Sequence, residues 1–366
     1  MKELNQERKN PMRILFITYI AFFLLLTGCE KIVNDVIDAP TRFPSAPDSR
    51  PPIWDKEPRV LNVGFYAYFA PVSYSADPDP ASDRFNTHLG YEADLLSAVE
   101  AITDTGLSFS QKAIREWPGI WLKAAAPEYD IIGGGITILN SRTQDATGTQ
   151  VVAFTAGHIE FRQSLLVRAE DRQRLSHYTD LTHNVRVGVL AGTTGEARLL
   201  EITEIVDANG VLALGTRIET LHGTLVADGT EAYKITAADT SPNLVGRTHI
   251  YPPAEGMPQV IYLGTDVGES ALLEALADGR IDAIARGAIG NQDGAVASDG
   301  QFVVSALDAQ VEYGGFTLSV NDAELISYLN WWIDYLTDSG NIGYAEWSYN
   351  SNVFMARAQM WNARAE

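Results

Sequence analysis

The sequence predicts an α/β protein whose sheets are rich in parallel strands. Short apolar runs alternate with segments that carry apolar residues at helical spacing. One buried run ends in three consecutive glycines, Gly133 to Gly135, as a strand does where it enters a tight turn. The chain has 366 residues, 46% of them hydrophobic, enough for one large or two medium cores. At roughly 150 residues per domain, this length predicts two globular units and an appendage.

The first α/β series begins at Val60. Residues 60–66 (V-L-N-V-G-F-Y) form a short apolar run typical of a buried strand, and residues 91–99 then place apolar side chains at helical spacing. The later predicted elements are a strand at 107–109, a helix at 120–126 ended by Pro127, and a strand at 129–137.

A second α/β series begins near Ser164. The predicted strands are 164–167, 185–189, 282–285 and 315–320, and the predicted helices are about 196–205, 270–277, 322–336 with Asp322 as its cap, and one near Tyr344. Residues 208–262 are rich in Gly, Thr and Asp, so we expect hairpins or an inserted loop there rather than core. No internal repeat is visible.

The first thirty residues have the pattern of an export signal. Four basic residues precede an apolar run at 14–26, the pattern of a positively charged segment followed by a short apolar core. As a helix this run would be about 20 Å long, against about 30 Å for a bilayer core, which disfavours a permanent span.

Cys29 is the only cysteine in the chain, and it follows the export signal directly. A disulfide framework and a multi-cysteine zinc site are therefore excluded. Leu26-Thr27-Gly28-Cys29 resembles the bacterial lipobox, which implies cleavage after residue 28 and a diacylglycerol anchor on Cys29 outside the cytoplasm. The alternative is a free cysteine that closes an N-terminal anchor helix. Residues 29–58 are rich in proline and predict a flexible tether.

The net charge disfavours nucleic-acid binding, and the motif content gives no sign of a metal site or a common catalytic motif. With 27 basic and 47 acidic residues, the formal charge of -20 disfavours nucleic acid and favours a soluble monomer. The six histidines show no metal-ligand spacing, and no G-x-S-x-G, P-loop or H-E-x-x-H motif is present. We therefore expect no metal and no cofactor.

A series of short motifs resembles family 3 of the bacterial extracellular solute-binding proteins, the polar-amino-acid group. Each motif alone is weak, but their order and spacing match over about residues 60–205 and 265–350. The motifs, in chain order, are Val63-Gly64, Gly90-Tyr91-Glu92-Ala93-Asp94-Leu95, Trp117 with Asp130, Thr137 with Arg142, Phe154-Thr155, Gly192-Thr193-Thr194, Gly279-Arg280-Ile281-Asp282-Ala283 and Gly315-Phe316.

The resemblance implies a two-lobed periplasmic-binding-protein-like fold of type II, with parallel-rich sheets, flanking helices and two hinge strands. Lobe 1 would hold residues 59–157 and 313–366, and lobe 2 would hold 158–312, with an insertion at about 208–262. Closure of the lobes would trap a small carboxylated solute, amino-acid-like or an organic acid, for delivery to an ABC-type permease in the inner membrane. The protein would be periplasmic and lipid-anchored through Cys29.

The resemblance also implies the polar contacts to that solute. Arg142 follows the strand that carries Thr137, and the matching arginine of the family grips the ligand carboxylate with two parallel hydrogen bonds. The alternative for Arg142 is a surface ion pair with Asp145. Thr137 would contact the same carboxylate unless it is an ordinary strand-end threonine. Thr193 and Thr194 precede a helix whose free amides favour an anion, although the same turn serves equally as a helix cap.

Two aromatic residues are the remaining ligand-binding candidates. Phe69 occupies the place where the family has a ring that stacks on the solute, and Trp117 occupies a cleft-lining place; either residue could instead belong to the core. Tyr66 and Tyr68 are weaker candidates. Glu92 and Asp94 are interpreted as charges at a helix N-terminus rather than ligands.

The sequence departs from the family pattern at two places. The family often carries an aspartate for the ligand ammonium after the strand at 282–285, whereas this chain continues with Arg286-Gly287. An arginine there would repel an ammonium group, which favours a dianionic or amine-free solute. His158 stands near the first crossing between the lobes, where a hinge role is favoured over a cleft role.

Two alternative functions stay open. Cyclohexadienyl or arogenate dehydratases share this fold, and Glu196 could be their general acid, although a helix-start glutamate is the simpler interpretation. The second alternative is a sensory module whose ligand state is read by a signalling partner.

Overall fold

The computed structural model describes residues 57–103, 105–264 and 268–364. The expected signal peptide, Cys29 and the expected tether up to residue 56 lie outside these ranges. The strands are β1 (Arg59–Tyr66), β2 (Tyr68–Phe69), β3 (Ser73–Ser75), β4 (His88–Leu89), β5 (Leu107–Ile114), β6 (Ile131–Gly133), β7 (Val152–Phe154), β8 (Ile159–Phe161), β9 (Gln163–Arg168), β10 (Arg186–Gly188), β11 (Arg217–Thr220), β12 (Gly223–Val226), β13 (Arg247–Tyr251), β14 (Gln259–Ile261), β15 (Ala283–Gly287), β16 (Phe302–Leu307), β17 (Glu312–Gly314) and β18 (Thr317–Ser319). The α-helices are α1 (Tyr91–Ala101), α2 (Thr194–Ile202), α3 (Glu269–Ala277), α4 (Ala288–Ala297), α5 (Ala323–Leu336), α6 (Tyr344–Tyr349) and α7 (Val353–Asn362).

The first lobe is built on a five-stranded sheet with the order β5-β1-β6-β18-β7. β1 runs parallel to β5 and β6, and β18 returns late in the chain to pair antiparallel with β6 and β7. Leu61, Val63 and Phe65 of β1 are fully buried. The apolar residues of α1, α5 and α7, including Trp332 and Phe354, join the same core, so the end of the chain completes this lobe.

The second lobe is built on an eight-stranded sheet with the order β12-β11-β13-β14-β10-β15-β9-β16. β10 runs parallel to β14 and β15, whereas β9 is antiparallel to β15 and β16. α2, α3 and α4 flank the sheet. Buried residues of α2 and α3 complete two apolar clusters, and Ala295 of α4 packs against the second of them. The α/β class predicted from the sequence is confirmed.

Residues 208–262 correct one expectation. The segment does contain a hairpin, β11 paired with β12, but the expectation that it stays outside the core is wrong. Four strands of the second sheet come from it, and Ile218, Leu244, Ile250 and Val260 are fully buried in the lobe's core. Each strand has only three to five residues between Gly-, Thr- and Asp-rich turns, too short for its alternation to be recognised in the sequence.

A two-stranded ladder joins the lobes. β8 pairs antiparallel with β17, so the chain leaves the first lobe and returns to it through adjacent strands. Thr137, beyond the end of β6, forms a single bridge with Gly314 beside this ladder. A pair of short strands of this kind permits one lobe to rotate relative to the other.

Several element boundaries differ from the prediction. The segment expected as a helix at 120–126 is a 3-10 helix, Ile120–Ala125. The strand expected at 129–137 ends at Gly133, because Gly134 (φ 141°) and Gly135 (φ 68°) turn the chain toward the second lobe. Asp322 precedes α5 as expected, but its carboxylate does not cap the helix and instead accepts a hydrogen bond from Arg59 at 3.0 Å.

Candidate functional site

A cleft of about 600 Å³, partly open to solvent, lies between the two lobes. The first lobe contributes one wall and the second lobe the other. The lining residues are Tyr66, Phe69, Trp117, Gly135 and Thr137 from the first lobe, Phe161 from the connection, and Gln163, Leu190, Thr193, Thr194, Gly195, Glu269, Arg286 and Gly287 from the second. Five of the six expected ligand-binding residues therefore meet in one cavity: Thr137, Thr193, Thr194, Phe69 and Trp117.

Aromatic rings form most of the first lobe's wall. Tyr66 packs edge-to-face against Trp117, with ring centroids 5.0 Å apart, and Phe69 lies 6.1 Å from Phe161. Gly135 lets Phe69 approach, because a Cβ on Gly135 would come within 2.6 Å of the Phe69 ring. The wall presents apolar faces to a solute.

The N-terminus of α2 forms part of the opposite wall. Thr193 is its N-cap, and its Oγ1 accepts a hydrogen bond from the Glu196 amide at 3.1 Å. Thr193 therefore caps the helix, which is one of the two roles that the sequence indicated for this turn. The first-turn amides of any helix lack intrahelical partners and favour an anion, and Thr194 and Gly195 of that turn line the cleft.

An ion pair between Arg286 and Glu269 also lines the second lobe's wall. Arg286 Nη1 lies 2.5 Å from Glu269 Oε2, and the rest of the guanidinium donates to Asn291 Oδ1 (2.8 Å) and the Gly290 carbonyl (2.6 Å). Burial raises the pKa of Glu269, and the charge of Arg286 opposes that shift. The pair gives the cleft one positive and one negative group at adjacent positions.

Sequence reasoning missed Glu269. The family pattern directs attention to the end of the strand that includes β15, where no carboxylate is present. The carboxylate comes instead from the first residue of α3, which precedes β15 in the chain. Only the fold brings Glu269 and Arg286 together. The expectation that Arg286 would repel an ammonium group therefore needs correction, because the carboxylate of Glu269 lies beside it.

Arg142 is not among the described residues that line the cleft. Its side chain is fully buried, and its guanidinium donates to three backbone carbonyls: Thr137 (3.2 Å), Gly192 (3.3 Å) and Ala237 (2.9 and 3.3 Å). The guanidinium carbon also lies 4.3 Å from the centre of the Trp121 ring. Burial lowers the pKa of Arg142 to about 9, against the effect of Glu312. Gly192 and Ala237 belong to the second lobe, so Arg142 here fastens one lobe to the other.

Neither sequence interpretation of Arg142 describes this arrangement. The expected carboxylate clamp has no access to the cleft in this conformation, because the donors face backbone oxygens. The alternative surface pair with Asp145 is also not observed: Asp145 instead accepts hydrogen bonds from the Thr147 and Thr149 amides. The sequence could not predict that the backbone carbonyl of Ala237 accepts hydrogen bonds from Arg142, because Ala237 lies in the segment 208–262, whose position in the fold was not predicted.

A second polar network crosses the cleft around Glu312 of β17. Its carboxylate accepts hydrogen bonds from Thr137 Oγ1 (3.2 Å) and from Gln163 Nε2 (3.0 and 3.2 Å). Gln163 Nε2 also donates to Thr194 Oγ1 at 3.0 Å. Burial raises the pKa of Glu312. These contacts tie Thr137 of one wall to Thr194 of the other.

Glu196 lies outside the lining residues. Its carboxylate is fully buried, pairs with Arg247, and accepts hydrogen bonds from Tyr262 Oη (2.7 Å) and the Gly192 amide (2.6 Å). A carboxylate held by a guanidinium, a phenol and an amide is fixed in place and cannot reach a solute. This geometry argues against Glu196 as a general acid.

His158 and Glu92 lie together beneath the cleft. His158 Nε2 is 3.2 Å from Glu92 Oε1, and the Glu92 carboxylate accepts hydrogen bonds from the Gly134 (2.7 Å) and Gly135 (3.0 Å) amides. Both side chains are buried, and neither lines the cleft. Glu92 thus shapes the turn that follows β6, a more specific role than a charge at a helix start.

Within residues 57–103, 105–264 and 268–364, no cluster of three or more His, Cys, Asp or Glu side chains could hold a metal ion. Over the same part of the chain, no helix is long and apolar enough to cross a membrane.

The sequence matches no protein-family model and no curated protein. Solved structures do match the fold. An ABC uptake transporter substrate-binding protein from Streptococcus pneumoniae with bound histidine is similar at a TM-score of 0.51 and 15% identity, over 83% of this chain and 92% of that one. An ancestral amino acid-binding protein, a precursor of cyclohexadienyl dehydratase, matches at a TM-score of 0.50 and 18% identity, over 82% and 95%. The substrate-binding protein of an amino acid ABC transporter matches at 0.50 and 17%, over 81% and 100%. The chain therefore has the two-lobed fold of the periplasmic binding proteins.

Proposed function

We propose that the protein is an extracytoplasmic substrate-binding protein, anchored by lipid on Cys29, that captures a small carboxylated solute by lobe closure and delivers it to an ABC transporter. The observation that carries the proposal is the inter-lobe cleft, in which a cation and helix amides oppose an aromatic wall. The similarity to the substrate-binding proteins of amino acid ABC transporters supports the transport role.

The solute's carboxylate would bind between Arg286 and the first turn of α2. Arg286 is the cationic side chain that lines the described cleft, and Thr193, Thr194 and Gly195 lie on the same wall. Phe69, Trp117 and Tyr66 would contact the apolar part of the solute from the other lobe. Thr137 would complete the polar contacts where the two walls meet.

Arg142 has a different part in this proposal. Its bonds to Gly192 and Ala237 form only when the lobes are together, so it stabilises the closed state rather than the solute. Closure around a solute and closure by Arg142 would reinforce each other, because both need the same lobe orientation.

Binding calorimetry with the natural amino acids, dicarboxylates and monocarboxylates tests the proposal. We expect saturable one-to-one binding of a carboxylated compound, weakened about tenfold or more in Arg286→Lys, since lysine has no planar fork. Arg186→Lys is the matched control, because Arg186 contacts Asp282 and Gly279 on the far side of the second lobe. A folded protein that binds none of these compounds would contradict the proposal.

The enzymatic alternative has one favourable observation. Glu269 is a buried carboxyl in the cleft with a raised pKa, as a general acid needs, and a similar structure is that of a dehydratase precursor. The ion pair with Arg286 opposes this role because it favours the ionised carboxylate. We expect no turnover of arogenate or prephenate by the purified protein; measurable product formation would favour the dehydratase.

A further inference from the structure

Glu312 brings a carboxylate of the protein itself to the place where the two walls of the cleft meet. The residue is buried, and its carboxylate accepts hydrogen bonds from Thr137 Oγ1 at 3.2 Å and from Gln163 Nε2 at 3.0 and 3.2 Å. Thr137 belongs to the first lobe and Gln163 to the second, and both line the cleft. Side chains from both walls therefore hold an internal carboxylate at this end of the cleft.

The neighbours of Glu312 favour its ionised form. An amide nitrogen only donates hydrogen bonds, and Gln163 Nε2 donates to both oxygens of the carboxylate. Burial raises the pKa of Glu312, whereas the hydrogen bonds of Gln163 and Thr194 and the charge of Arg142 oppose that rise. Glu312 thus places a negative charge next to the residues that line the cleft.

The charges around the cleft are balanced before any solute binds. Arg286 pairs with Glu269, and the charge of Arg142 acts on Glu312. One solute carboxylate can still bind at Arg286 and the first-turn amides of α2, because a helix N-terminus stabilises an anion. A second carboxylate would meet the charge of Glu312 and would find no other cation among the described residues that line the cleft.

We infer that Glu312 determines the specificity of the cleft: its carboxylate takes the place of a second solute carboxylate at the Thr137 end and restricts the solute to a single carboxylate. This inference rests on the proposed function, because it specifies the solute class of the same cleft. It excludes the dianionic solute that the sequence favoured as one option. Glu312 acts through its charge and through Thr137 and Gln163, the residues that it holds.

Matched ligand pairs test the inference on the unaltered protein. The two members of a pair differ in one carboxylate, as in L-glutamine with L-glutamate, L-asparagine with L-aspartate, or butanoate with butanedioate, and each compound that binds in the calorimetric screen is titrated beside such a partner. We expect the monocarboxylate to bind about tenfold or more tightly than its dicarboxylate. A dicarboxylate that binds equally well or better overturns the inference while leaving the proposed function intact. If no compound binds, the proposed function fails as well.

A variant assigns the discrimination to Glu312. Glu312→Gln keeps the shape of the side chain and removes its charge, so the affinity ratio within the best pair should shift toward the dicarboxylate by about tenfold or more. A purely structural role would weaken both members of the pair alike and leave the ratio unchanged. Glu312→Asp keeps the charge and should keep the preference for the monocarboxylate.

Glu219→Gln is the control variant. It removes the same charge from a residue that pairs with Arg217 on β11, near the edge of the second sheet, and we expect the wild-type ratio. Thermal melting checks that each variant folds. An unchanged ratio in folded Glu312→Gln, or an equal shift in Glu219→Gln, contradicts the assignment to Glu312.

Discussion

Replacing Arg142 by alanine should open the lobes of the solute-free protein. Three of its hydrogen bonds cross between the lobes: two to the Ala237 carbonyl, at 2.9 and 3.3 Å, and one to Gly192, at 3.3 Å. At about 1 kcal/mol for each bond, their loss would destabilise the closed state by about 3 kcal/mol relative to the open one. Since every 1.4 kcal/mol is a factor of ten, the ratio of closed to open molecules would fall by about 100-fold.

Small-angle X-ray scattering measures this change as the radius of gyration. We expect the solute-free Arg142→Ala protein to be more expanded than the wild type and to contract when a solute binds. Arg186→Ala is the control, because the partners of Arg186, Asp282 and Gly279, lie within one lobe. An Arg142→Ala protein that keeps the wild-type radius of gyration but no longer binds any solute would contradict the inter-lobe role of Arg142 and indicate that it is the carboxylate clamp.

Three further predictions concern stability and the shape of the cleft. Arg247→Met should lower the free energy of unfolding by about 3 to 5 kcal/mol in urea titration, because it leaves the Glu196 carboxylate buried without its cation; a loss under 1 kcal/mol would contradict this. Burial lowers the pKa of His88 to about 3 from 6.5, so the neutral form is favoured in the folded state and stability is lost as the pH falls below 6.5. Between pH 7 and pH 5 that loss is about 2 kcal/mol, and His88→Leu should remove this part of the pH dependence, whereas an unchanged pH profile would exclude His88 as its source. Gly135→Ala should reduce affinity for every solute, because its left-handed backbone and its 2.6 Å approach to Phe69 leave no room for a methyl group; wild-type affinity would show that this turn does not shape the cleft.

Much of the fold was accessible from the sequence because its strands and helices have clear periods. The strand at 60–66 and the helix at 91–99 were predicted close to their observed bounds, Arg59–Tyr66 and Tyr91–Ala101. Both are long enough for the burial pattern to repeat. For the segment that holds β11 to β14, the sequence predicted only hairpins or a loop outside the core, because three to five residues between turns do not display a period.

The cleft was predictable where the lining residues lie next to recognisable turns. Thr193 and Thr194 follow the glycine that precedes α2, and Thr137 follows the glycine-rich end of β6. Glu269 and Gln163 gave no such signal, because a helix-start glutamate and a strand glutamine are ordinary in sequence. Each residue acquires its place in the cleft through a partner elsewhere in the chain: Glu269 pairs with Arg286, and Gln163 donates a hydrogen bond to Glu312.

Arg142 shows the limit of an argument from motif spacing. The five-residue interval between Thr137 and Arg142 can be read from the sequence, but the direction of the guanidinium depends on what lies opposite it. In this chain the carbonyl of Ala237, from the segment 208–262, occupies that position. An arginine five residues after Thr137 can therefore form hydrogen bonds to the other lobe instead of binding a carboxylate.

A crystal structure of the protein grown with its tightest-binding solute would show directly where the carboxylate binds. We expect the solute in the inter-lobe cleft, with its carboxylate within hydrogen-bond distance of Arg286 or the α2 amides and with Arg142 still bonded to Gly192 and Ala237. A solute bound outside the cleft, or held through its carboxylate by Arg142, would contradict the proposed function of these residues.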